Sequence, residues 1–199
     1  MGCDIHCYIE YKKKHHEGWS DFGGRINPGR NYWMFGMMAG VRLNVTPVVA
    51  PRGLPEDVSY SSGSDSRIYI SEVESEGCCN AENAARWVAD GSSTYVSNHE
   101  GKPTWVTHPD WHSHSWLNAN ELELAIASYL VKSGFSVNLL ALEDNKPDIA
   151  SSEIAFQAQN SSEARYALDD ITEYWAILQA MRCFEMQGHD ARLVFWFDN

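Results

Sequence analysis

No run of apolar residues in this chain approaches the roughly 20 needed to span a bilayer, which excludes a transmembrane helix. Positive charge is scarce. The 15 Lys and Arg face 27 Asp and Glu, a formal charge of −12, so the surface field repels polyanions and long nucleic acid is a poor partner. A small anion stays open, because one buried pair of arginines overrides a negative exterior. The five cysteines (Cys3, Cys7, Cys78, Cys79, Cys183) are odd in number and read as thiols of a reducing compartment, the adjacent Cys78 and Cys79 as a loop pair. The start has no charged-then-apolar signal pattern, and His6 stands where a myristoylation motif needs Ser or Thr. The expectation is a soluble, cytoplasmic protein without membrane contact. No internal repeat and no linker is visible, so residues 1–199 are expected to form a single domain.

What is present is a globular balance, with 44% hydrophobic and 21% charged residues and an aromatic share of 12% that includes eight Trp. Residues 3–11, CDIHCYIEY, alternate with period two and predict a strand. Cys3, Ile5, Cys7 and Ile9 take one face; Asp4, His6, Tyr8 and Glu10 take the other. WMFGMMAGV reads as a short buried helix, TPVVAPRGLPEDVS as a stiff irregular connection, and SYSSGSDS as a mobile surface loop. RIYISEVES predicts a strand, and NAENAARWVADG a helix from Asn80 to Gly91. The polar stretch 91–111 reads as a loop insertion.

Asn118 with Glu121 forms a capping box for a helix over about 118–133, with Leu122, Ile126, Tyr129 and Leu130 inward and Gly134 as stop. FSVNLLAL predicts a buried strand. A second box, Asn160 with Glu163, opens a helix over about 161–187 with Leu168, Ile171, Trp175, Leu178 and Met181 inward. ARLVFWFDN is apolar on both faces, as a central strand is. The expected architecture is α+β: a mixed or antiparallel central sheet containing both terminal strands, packed by these two main helices, with long functional loops.

Three groups of residues could carry chemistry. On a strand rising about 3.3 Å per residue, Asp4 and His6 share a face roughly 6.6 Å apart, a span two ligands of one ion can bridge. Cys3 and Cys7, about 13 Å apart on the other face, cannot share a zinc. The segment HPDWHSHSW holds His108, Asp110, His112 and His114, and His-x-His in an extended strand aims two imidazoles to one side, as transition-metal sites require. Arg42 and Arg52 lie among apolar and proline-rich residues, where a carboxylate or a ligand phosphate would partner them. Arg25 and Arg30, in the stretch GGRINPGRNY that reads as a Gly- and Pro-rich loop, are weaker candidates. Asp198 joins Asp4 if the terminal strands are neighbours.

The start MGCDIH, the run RNYWMFGMMAGVR, PRGLPEDVS, HSHSW and the ending VFWFDN together resemble a family of small proteins carried by phages and prophages. The resemblance spans the whole chain. Asp110 and Trp111 stand where that family has aspartate and glycine. It implies an accessory protein acting in the cytoplasm of an infected bacterial host, where such proteins modify nucleotides, handle host machinery or blunt immune signalling. HSHS invites comparison with phosphodiesterases that carry two His-x-Ser/Thr motifs, but His6 is followed by Cys7 and Tyr8, so the second motif is missing.

Two functions follow. One is a metal-dependent hydrolase, a phosphodiesterase on a small nucleotide or nucleotide messenger. In it Asp4, His6, His112, His114 and Asp198 hold divalent ions, Zn or Mn, that activate water. Arg42 or Arg52 grips the phosphate, and Trp116 or Tyr32 stacks on a base; His112, His114 and Arg52 are the catalytic candidates. The other is a non-catalytic nucleotide sponge, or an inhibitor of a host defence enzyme whose acidic surface faces a basic partner. A morphogenesis accessory and self-association stay open.

Overall fold

Alternation at the start of the chain produces a strand whose apolar residues are all buried: Cys3, Ile5, Cys7 and Ile9. A computed structural model describes residues 2–66, 68–69, 95–96, 111–137 and 151–198. Their elements are β1 (Ile5–Lys12), β2 (Ser20–Ile26), α1 (Tyr32–Ala39), α2 (Tyr60–Asp65), β3 (Ile68–Tyr69), β4 (Tyr95–Val96), β5 (His112–Asn118), α3 (Ala119–Lys132), α4 (Ser151–Gln159), α5 (Ser162–Asp169), α6 (Thr172–Met186) and β6 (Asp190–Phe197). The chain is α+β. The expected helix over 80–91, most of the insertion 91–111, the end of the strand FSVNLLAL, Cys78, Cys79, His108 and Asp110 lie outside the described residues.

Contacts divide the chain into two compact units, Met1–Asn27 with Pro51–Trp116 and Val194–Asn199, and Pro28–Ala50 with Leu117–Leu193. Each is assembled from separated stretches, which is why no linker marks them in the sequence.

The first unit is built on a four-stranded sheet of order β2-β1-β6-β5. The terminal strands are neighbours, with the Asp198 amide donating to the Asp4 carbonyl at 3.1 Å. That bond joins the start of β1 to the end of β6, so the two run antiparallel, as do β1 and β2. β6 is buried from Ala191 to Phe197, as its two-sided apolar sequence requires.

The second face of β1, which simple alternation would leave to solvent, is covered. Tyr8 and Glu10 are buried, and Glu10 accepts the Ser59 amide at 2.8 Å. Ser59 in turn caps α2 by accepting from the Ser62 amide at 3.3 Å. The serine-rich stretch expected to be a mobile loop is therefore a short capped helix, with Ser62, Gly63 and Ser66 buried. Tyr8 donates to Asp65 at 2.9 Å. Burial first, and then this carboxylate, push the Tyr8 phenol up to about 12. A phenol whose folded pKa is raised stabilises the fold fully below its unfolded value near 10 and loses that contribution as pH rises towards about 12. In a 295 nm absorbance titration, Tyr8→Phe should remove one late phenolate step and flatten the alkaline fall in Tm.

The second unit is helical. Asn31 caps α1 by accepting from the Met34 amide at 3.0 Å, and Gly40 closes it in the left-handed region at φ 69°. A Cβ on Gly36 would come within 2.5 Å of Val45 Cγ2, so only glycine lets that loop lie against α1. The Asn118–Glu121 capping box forms as expected, with bonds of 2.8 and 2.9 Å. Leu122, Ile126, Tyr129 and Leu130 are buried.

The helix expected over 161–187 is two helices. Ser161, not Asn160, caps α5 by accepting from the Ala164 amide at 3.2 Å, while the Asn160 side chain donates back to the Phe156 carbonyl. Asp169 and Asp170 place two negative charges at a helix C-terminus, where the macrodipole opposes them, and Ile171 leaves helical dihedrals (φ −122°, ψ 11°) to become fully buried. In α6 the buried stripe is Tyr174, Ile177, Leu178 and Met181, and Trp175 stays half-buried.

Candidate functional site

The candidate residues of the first unit gather at one end of its sheet. Asp198, just past β6, accepts the Asp4 amide through Oδ1 at 2.8 Å and meets His6 Nε2 through Oδ2 at 3.0 Å. An ionised carboxylate only accepts, so His6 Nε2 carries the proton and Nδ1 is the acceptor in the neutral ring. The pair is partly open to solvent, with side-chain exposures of 17% and 26%. The sequence placed these three residues together only on the condition that the strands pair, and they do.

Trp196 organises the rest. It is fully buried in β6, and the rings of His6 (5.8 Å), Tyr8 (6.0 Å), Trp111 (5.3 Å) and His114 (6.0 Å) lie around it. Trp111 is itself buried against His6 at 5.6 Å. It stands in the core of this unit as a packing residue. β1 and β5 flank β6, so His6 and His114 stand on opposite sides of the indole, about two strand spacings or roughly 9.5 Å apart.

His112 and His114 do not project to one side as an ideal strand would have them. His114 stacks on Trp196 and His112 on Phe197, 6.1 Å away, and consecutive residues of β6 point to opposite faces. The cause is Ser113, which sits at φ 52° and breaks the alternation. Its hydroxyl meets His112 Nδ1 at 2.9 Å. His114 Nε2 donates to the Ser66 carbonyl at 3.0 Å, a structural tie to the end of α2. Among the described residues, no three His, Cys, Asp or Glu side chains converge as a metal-binding group. The buried Cys7 thiol, raised by desolvation, keeps its proton and offers no thiolate. Because β-branched residues avoid the left-handed region, Ser113→Val should destabilise the fold by roughly 1–3 kcal/mol in urea denaturation.

Both arginines singled out from sequence are exposed, and each lies against an aromatic ring. The Arg52 guanidinium lies 3.5 Å from the Trp116 ring centre and donates to the Trp116 carbonyl, while its backbone amide donates to Ser115 Oγ at 3.1 Å. In the second unit Arg42 lies 6.0 Å from the Tyr32 ring, and Arg42 holds φ 68°, which few non-glycine residues adopt.

Sequence reasoning missed what surrounds Tyr32. Trp33 is also exposed, with Lys132 Nζ 4.9 Å from its ring centre. Tyr32 and Trp33 line a cleft of about 390 Å³ with Arg30, Asn31, Leu43, Tyr129 and Asp170. The signal was the adjacent Arg-Asn-Tyr-Trp of residues 30–33, two exposed rings preceded by a cation, but Lys132 is remote in sequence. No family model, no curated protein and no solved structure matches the chain.

Proposed function

We propose that this protein binds a small anionic ligand with an aromatic ring, a nucleotide, in the cleft around Tyr32 and Trp33. The observation that carries the reading is the arrangement of Arg42 over Tyr32 and Lys132 over Trp33 beside a cleft that also contains Arg30, in a chain of net charge −12. Exposed rings offer stacking surfaces to a base, worth about 1–3 kcal/mol each, and the neighbouring cations offer charge-assisted bonds to phosphate. Sequestering a nucleotide in an infected bacterial host is the role that suits such a site.

Titration calorimetry with adenosine and guanosine mono- and triphosphates should give saturable binding that Trp33→Ala and Arg42→Ala each weaken about tenfold or more. Absence of saturable binding by all four nucleotides overturns the reading.

A hydrolytic role is the second reading, favoured by His6 and Asp198. The Asp198 contact orients the imidazole, and Nδ1 would accept a proton from attacking water as a general base. With Zn or Mn supplied, His6 and Asp198 are the ligands that stand together, and the ion would lower the pKa of bound water. Incubation with nucleotide and metal, then denaturation and product analysis, separates the two: intact ligand supports binding, and cleavage lost in His6→Ala supports hydrolysis.

A further inference from the structure

We propose that a cleft among α4, α5 and α6 is a docking site for a basic segment of a partner protein, which inserts one apolar side chain beside Trp175. The cleft has a volume of about 180 Å³ and is lined by Ile154, Leu168, Thr172 and Trp175. That volume is the share of about six waters at roughly 30 Å³ each, and an apolar wall gives those waters few bonds, so a leucine- or phenylalanine-sized side chain displaces them favourably.

Charge selects the occupant. Residues 151–175 carry Glu153, Glu163, Asp169, Asp170 and Glu173 against the single basic Arg165. All five acids are exposed, and Glu153 and Glu173 adjoin the lining residues Ile154 and Thr172. A second copy of this chain would bring the same acidic face, and a net charge of −12, against it. A segment rich in arginine or lysine gains from the field that repels a second copy, and an apolar anchor fixes its register.

The test uses the full chain and three synthetic peptides: arginine and leucine at helical spacing, the same peptide with serine for leucine, and the same with glutamate for arginine. The arginine–leucine peptide should bind at least tenfold more tightly than the arginine–serine one, and the glutamate peptide should not bind. Thr172→Phe, which fills the cleft from an exposed position, should erase the preference for leucine without lowering Tm; Leu168→Lys gives the same reading if that variant proves unstable. Glu153→Gln with Glu173→Gln should reduce the salt dependence of binding. Equal binding of the serine peptide, or an undiminished preference in both cleft variants, overturns the proposal. So does a dimer in sedimentation that Thr172→Phe dissociates, since a second copy would then be the occupant.

Discussion

Replacing Trp196 by alanine is expected to destabilise the protein by about 3–5 kcal/mol, the usual cost of emptying a large aromatic site in a core. The indole is fully buried in an inner strand, and four rings from β1, β5 and the residue before β5 rest on it. Close-packed neighbours relax only partly into such a void. Trp196→Phe should cost much less, because the lost Nε1–H has no hydrogen-bond partner among the described residues. Urea denaturation of both variants, with tyrosine fluorescence and near-ultraviolet dichroism, measures the difference. Equal losses would show that the ring layer is not what Trp196 supports.

Arg182→Met is expected to cost about 1.5–3 kcal/mol, because it removes a charge-assisted bond to a buried carboxylate. Glu123 is only 5% exposed and is bonded by Arg182 Nη2, while Nη1 meets Glu185 at 2.7 Å. Burial opposes the Arg182 charge, yet the bonds to Glu123 and Glu185 outweigh it, and the guanidinium is held above its ordinary pKa. The double variant Arg182→Met with Glu123→Leu should recover most of the loss, since apolar residues of similar size replace buried ion pairs at little net cost. A double variant as unstable as the single one would mean that packing of the arginine stem, not its charge, holds α3 and α6.

How legible each element was depended on whether its signal is local. The Asn118–Glu121 box lies within four residues, and it formed where the sequence put it. Ser161 was hidden beside Asn160 because both residues cap well, and only the Asn160 bond back to Phe156 decides between them. The helix α2 was unreadable from its serines, since its cap depends on Glu10 from a strand 49 residues earlier. The break at Asp170 and Ile171 was visible as two adjacent acids, but an apolar stripe continued across it and outweighed them.

The candidate site divides along the same line. Residue type and spacing determined that β1 would bury Cys3, Ile5 and Cys7 and that β6 would lie inside a sheet, and set Asp4 and His6 two residues apart. Only the tertiary structure decided that Asp198 reaches them, since that needs β1 and β6 to pair. It also decided that His112 and His114 part company, because one left-handed residue, Ser113, overrides the period of a strand. The cleft at Tyr32 and Trp33 belongs to the same class. Its second cation comes from α3, about a hundred residues along the chain, and a distance in sequence says nothing about a distance in space until helices pack.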